Sequence, residues 1–128
     1  MASTYTPLGV ELMATGENAG TWGTKTNTNL QIFEQISGGY LEVAIGGGAG
    51  TTTLTESDGA TGSAVATRIL KLTGTISGNR IVTMPVGVEN FYIINNDTSG
   101  AHTVQLKAAS GSGATVTWAT DDKGWKFV

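Results

Sequence analysis

The chain has 128 residues and a formal net charge of −3, enough for one domain and too few for two that each bury a core. The absence of cysteine excludes a disulfide scaffold, a thiolate nucleophile and a Cys-ligated metal, and a single histidine, His102, excludes a His-rich zinc or iron site within one chain. Charged residues are 13 % against roughly 25 % in an average domain, while 21 residues are Thr and 19 Gly, so the surface is polar, poor in charge and suited to a β protein held inside an assembly. Only seven residues are Lys or Arg, so no nucleic-acid partner is expected. The start, Met1 to Tyr5, is read as a native start without a signal peptide. No apolar run approaches the ~20 residues of a membrane helix, and no membrane partner is expected.

Residues 1–39 read as loop, tight turns and one helix, and residues 40–128 as a strand-rich domain. Gly16-Glu17-Asn18-Ala19-Gly20-Thr21-Trp22-Gly23 places three glycines around a tryptophan, which predicts a compact turn pinned by a buried Trp22 ring. Thr28-Asn29-Leu30-Gln31 has the form of a capping box, with Thr28 as N-cap. A short helix over 30–36 follows, stopped by Ser37-Gly38-Gly39 with glycine in a left-handed cap. A helix this short needs tertiary packing, here through Ile32, Phe33 and Ile36.

Strand candidates then follow at 40–45, 51–55, 65–75, 80–84, 91–95, 102–108, 115–120 and 125–128. The 91–95 segment reads as an apolar core strand. His102 to Ala108 alternates cleanly, as a half-buried antiparallel strand does. Val116 and Trp118 point inward by the same rule. Ser77-Gly78-Asn79 and Asp121-Asp122-Lys123-Gly124 read as hairpin turns, Asn96 to Gly100 and Ser110 to Ala114 as turns, and Gly46 to Gly50 as a flexible or extended connector. Seven or eight short strands at about ten-residue spacing predict a mainly β fold, an antiparallel β-sandwich or jelly-roll-like domain preceded by an N-terminal loop and one short α-helix. No repeat of fixed period stands out.

No catalytic constellation emerges. The Asp residues sit in turn signals, no serine lies in a nucleophile elbow, and His102 reads as a strand-end residue bonded to backbone. Asp121-Asp122 lacks calcium-loop spacing. The glycine run lacks the Gly-Lys-Ser/Thr ending of a phosphate loop. Asn96-Asp97-Thr98 has the form of a glycosylation acceptor and is read as a turn. The chain is therefore expected to be no enzyme, with no cofactor and no metal. Trp22 and Trp125 are candidate core residues or interface anchors, since tryptophan is enriched at both. A Thr-rich β domain without Lys-rich edges favours strand edges covered by neighbouring copies, hence a homo-oligomer.

The opening stretch from Ala2 to Leu30, centred on Gly-Glu-x-x-Gly-Thr-Trp-Gly (16–23) and Thr-Asn-x-Asn-Leu (26–30), resembles a group of tailed-phage virion proteins found in marine and cyanobacterial phages and labelled tail fibre or virion structural protein. The likeness continues through Asn-Arg-Ile-Val-Thr-Met-Pro (79–85), Phe-Tyr-Ile-Ile-Asn-Asn (91–96) and Asp-Lys-Gly (122–124). It implies a non-enzymatic virion component, assembled in the host cytoplasm. Residues 1–39 would anchor it and residues 40–128 would form the β domain, in an oligomeric tail fibre or appendage, with a trimer as the implied state. The chain stops inside a predicted strand at Phe127-Val128, so the resemblance implies either a short version or the particle-proximal part of a longer fibre. Partners are copies of itself and other virion proteins of tail or capsid. The alternatives are a capsid decoration (cement) protein and a domain that binds or cleaves host-surface glycan. The assembly and anchoring candidates are Trp22, Ile32, Phe33, Ile36 and Trp125.

Overall fold

The computed structural model describes residues 2–128, which form mostly strands, with one helix, in mixed sheets. Thr4–Tyr5 (β1) and Glu11–Leu12 (β2) pair as a small antiparallel hairpin. Gly9 turns it at φ 86, with its backbone so close to the 57–59 loop that an added Cβ would lie 2.0 Å from Ser57 O.

The helix α1 runs from Trp22 to Gly38, beginning six residues before the expected Thr28 cap. The chain is already curled by the Thr21 N–H donating to Asn18 O (2.8 Å) and the Lys25 N–H to Thr21 O (3.1 Å), and no proline follows to stop propagation. Thr28 is interior, and its hydroxyl bonds back to Thr24 O at 3.1 Å. At the other end Gly39 is extended rather than left-handed. Glycine is needed there for closeness, because a Cβ would sit 2.6 Å from Gln35 O. The chain then passes straight into Tyr40–Ala44 (β3).

From β3 onward the chain alternates between two sheets. Gly50–Thr53 (β4), Ile69–Thr73 (β5), Arg80–Met84 (β6), Ile93–Asn96 (β7) and Val104–Ala108 (β8) follow in order. β3, β5 and β7 pair in parallel in the first sheet, and β4, β6 and β8 pair in parallel in the second. These are three coils of a short solenoid. Val116–Trp118 (β9) and Gly124–Phe127 (β10) then fold back, antiparallel to β8 and β7 respectively. The sheet orders are β10-β7-β5-β3 and β4-β6-β8-β9.

This pairing corrects the expected antiparallel sandwich or jelly roll. Period-two alternation fixes which face of a strand is buried, not the direction of its neighbour. The segments 77–79 and 121–124 are not hairpin turns but corners that carry the chain from one sheet to the other. β8 is parallel to β6 on one side and antiparallel to β9 on the other, and only the 110–114 turn closes a hairpin within the two sheets. The coil-to-coil ladder continues around the corners: Gly47 N–H to Thr75 O (2.9 Å), Ile76 N–H to Ser99 O (2.8 Å), Ser99 N–H to Gly74 O (2.9 Å). Gly47, Gly74 and Gly100 take φ of 118, 112 and 111 at these stacked corners, a region costly for other residues. The expected strand over 65–75 is shorter, because Ala64–Ala66 forms a buried 3-10 turn, held by the Thr67 hydroxyl donating to Ser63 O at 2.8 Å.

One core lies between the sheets. Leu70, Leu72 and Ile94 meet Val82, Val104, Leu106 and the fully buried Trp118, whose indole N–H donates to Gly124 O at 3.1 Å. A smaller cluster of Val10, Ile32 and Ala66, with Leu8 and Ile36 against it, fastens α1 and the hairpin to the 3-10 turn. Polar bonds reinforce the junction. The Asn29 amide accepts from Glu11 N–H (3.0 Å) and donates to Glu11 O (2.9 Å), imitating a strand neighbour. Gln35 donates to Ser63 O and Thr67 Oγ1 and accepts from the Gly62 N–H.

Candidate functional site

The polar residues that sequence reading examined are placed as corners and turns. Asn96 is fully buried and accepts from both the N–H and the hydroxyl of Thr98, a local turn rather than an exposed acceptor site. His102 precedes β8, half-buried, with its backbone N–H on Gly100 O. Asp122 pairs with Lys126 at 2.9 Å. The glycine run 46–50 is a stacked corner rather than a flexible connector. It makes room for Arg80, since a Cβ on Gly50 would lie 2.7 Å from the Arg80 guanidinium, which donates to Gly48 O (2.8 Å) and Thr52 Oγ1 (2.7 Å). Among the described residues no three His, Cys, Asp or Glu side chains stand close enough to hold a metal. Tyr5, Glu56 and Asp58 line a shallow hollow beside Val86.

The five assembly candidates divide between inside and outside. Ile32 is fully buried and Ile36 packs beside it, so both fasten the helix internally. Trp22 corrects its expectation: it opens α1 and is 65 % exposed, because the glycine turn before it is held by backbone bonds and needs no ring beneath it. Phe33 does not pack inward as expected. It shares its helical face with Trp22, eleven residues earlier, and stands next to Leu30, all three more than half exposed. Phe33 also borders an apolar groove of about 460 Å³ with Leu8, Val10, Leu12 and Ile36. The N-terminal unit thus presents an apolar stripe outward.

Trp125 leads to the second surface, the outer face of the first sheet. Leu70, Leu72, Ile94 and Tyr92 point into the core, so alternation sends Ile69, Lys71, Phe91, Ile93 and Asn95 outward. The registers align two complete outward rows across four strands, the first being Tyr40, Ile69, Ile93, Phe127. The next row is Glu42, Lys71, Asn95, Trp125. Tyr40, Phe91 and Trp125 are more than half exposed and Phe127 is 78 % exposed. The segment at 91–95, expected as core, is therefore core on one parity only.

Charges on this face are few and paired. Lys71 lies 3.3 Å from Asp97 and 3.8 Å from Glu42, and the Arg68 guanidinium stacks 3.8 Å over the Phe91 ring. The hydrogen bond to Asp97 raises the Lys71 ammonium above its ordinary value, helped by the charge of the same carboxylate. Desolvation raises the Tyr40 hydroxyl, and its 3.0 Å hydrogen bond to Glu42 adds to this.

Sequence reading missed Tyr40, Ile69, Phe91, Ile93 and Phe127 as surface residues. The signal was present: Phe91-Tyr92-Ile93-Ile94 is apolar on both parities, as in strands covered on both faces. Comparison with protein-family models, with curated proteins and with solved structures found no match.

Proposed function

We propose that the chain is a non-enzymatic structural component of a tailed-phage virion, an oligomeric tail fibre or appendage part, or its anchoring module. The observation that carries this reading is the pair of outward apolar surfaces, the Trp22–Leu30–Phe33 stripe and the Tyr40–Phe127 row, on a chain with only 13 % charged residues. A lone soluble monomer has no use for two such surfaces, whereas an assembled protein needs one for each kind of neighbour. The resemblance of residues 2–30 to phage virion proteins supplies the context. In this reading residues 1–39 seat the chain on the particle, and the two facing sheets, sandwich-like in their shared core, meet further copies in the trimer that the resemblance implies. Other virion proteins of tail or capsid are the remaining partners.

The test is location on the particle. Antibody labelling of purified virions in the electron microscope is expected to mark the tail. Label over the head would favour the capsid decoration reading, and no label on the particle would overturn the virion reading altogether. Trp22→Ala is expected to leave unfolding within about 0.5 kcal/mol, because the ring is exposed, and to lower incorporation into particles. Unchanged incorporation would remove Trp22 from the anchor.

The hollow at Tyr5, Glu56 and Asp58 supports a second reading, attachment to host-surface glycan, because an exposed ring beside two carboxylates is a sugar-stacking arrangement. Glycan-array binding that Tyr5→Ala abolishes is the outcome that would favour it.

A further inference from the structure

The outer face of the first sheet is an uncovered apolar surface ordered by backbone register. Its four aromatic residues, each more than half exposed, offer about 500 Å² of accessible surface. That alone is comparable to the largest patch on a typical monomer, about 300–600 Å². Ile69, Ile93 and the polar rim bring it towards the ~800 Å² that each partner contributes to a stable pair.

Charge identifies the occupant. The chain carries −3 overall, so two copies repel at most orientations. On this face two cations, Arg68 and Lys71, stand with two carboxylates, Glu42 and Asp97, and the face is neutral with both signs present. A neutral face bearing both signs is one on which identical, like-charged chains can meet. Order within the row points the same way. It reads aromatic, Ile, Ile, aromatic across β3, β5, β7 and β10. Reversing it returns the same chemistry, so one copy's Tyr40 end can meet another's Phe127 end while the isoleucines fill the middle.

We propose that this face docks a second copy of the chain, with the Tyr40–Ile69–Ile93–Phe127 row of one copy closing on the row of the next. The inference rests on the assembly reading above for the expectation of self-association alone; a face that meets its own copy across a two-fold axis makes a pair, so the trimer that the resemblance implies needs a second, separate contact. Aligned face-to-face packing at about 10 Å is the geometry by which such sheets bury their side chains.

The chain has no cysteine, so disulfide trapping is free of background. Full-length Tyr40→Cys and Phe127→Cys proteins, mixed and oxidised, are expected to cross-link to each other far more than a control pair placed on the second sheet at Thr53 and Gln105. In sedimentation velocity the wild type is expected to associate at least as far as the pair that this two-fold contact makes. Phe127→Asp is expected to weaken association at least about 30-fold, with an unchanged circular dichroism spectrum, whereas Thr53→Asp leaves the mass unchanged. An oligomer that survives Phe127→Asp, with no Tyr40–Phe127 cross-link, overturns this face and leaves self-assembly standing. A wild type that stays monomeric at 100 μM overturns the face and self-association together. The virion reading is judged separately, by particle labelling.

Discussion

The two outer sheet faces are built from the same coils and read in opposite ways. On the first sheet the outward residues are Tyr40, Ile69, Ile93 and Phe127, then Glu42, Lys71, Asn95 and Trp125. On the second, registers align Thr51, Ile81, Gln105 and Thr117, then Thr53, Thr83 and Lys107. There the Thr53 and Thr83 hydroxyls bond each other at 2.8 Å, and Gln105 reaches Thr117 at 3.4 Å. Thr51, Thr53 and Thr117 are exposed and present hydroxyls to water, Thr83 is buried with its hydroxyl bonded to Thr53, and the β-branched stems suit the pleat. A row of aromatics and isoleucines leaves greasy surface uncovered. With the backbone shared, the contrast lies in the side chains, mostly polar on one face and mostly apolar on the other.

The faces depend on a common core, and removing it should erase the contrast. Trp118→Ala leaves a cavity against both sheets and is expected to cost about 3–5 kcal/mol in urea unfolding; a loss under 1 kcal/mol would mean that the sheets do not share that core. The corners come next. Gly100→Ala forces a Cβ to 2.1 Å from Ile76 O at φ 111, whereas Gly87, at φ 89, has nothing within 4 Å. The first is expected to cost about 3 kcal/mol and the second about 1 kcal/mol. Equal losses would show that the stacked corner is not what fixes the coil.

Smaller effects separate the faces themselves. Thr83→Val on the polar face removes one hydroxyl bond and is expected to cost about 0.5–1.5 kcal/mol without changing mass. Alkaline pH acts on the other side. Tyr40 and Lys71 of the apolar face have raised pKa values, and burial raises Tyr92, whose hydroxyl donates to Val65 O at 2.6 Å. A raised value means the folded chain keeps a proton that the unfolded chain has already lost. Their contribution is thus intact below the ordinary values of 10.0 and 10.5 and is lost as pH rises through and above them. Urea midpoints at pH 8, 10 and 11 are expected to be flat at first and then to fall. A midpoint that rises above pH 10 would contradict these environments.

Much of the molecule was legible in its residues. Arg80–Met84 is a strand within its expected bounds, Trp118 is buried as its alternation required, and Ile32 and Ile36 pack the helix as expected. Strand direction was not legible, because Ser77-Gly78-Asn79 suits a hairpin turn and a solenoid corner equally. The repeat was hidden by unequal coils: Tyr40 aligns with Ile69 and Ile69 with Ile93, so the 3-10 insertion lengthens one coil and erases a fixed period. The helix start was misplaced because Thr28 offered a cap that a turn at Asn18–Thr21 had already made unnecessary. The candidate surfaces were half legible. Tryptophan flagged Trp22 and Trp125, but the row beside Trp125 exists only through register, which joins residues 87 positions apart in Tyr40 and Phe127.

Hydroxyl-radical footprinting at 0.5 μM and at 100 μM tests the central contrast most directly, because it reads each exposed ring in the unmodified chain. Tyr40, Trp125 and Phe127 are expected to become protected as the concentration rises, while Trp22 at the start of α1 stays labelled at its dilute rate. Equal labelling of the first-sheet rings at both concentrations, or protection confined to Trp22, would contradict the account.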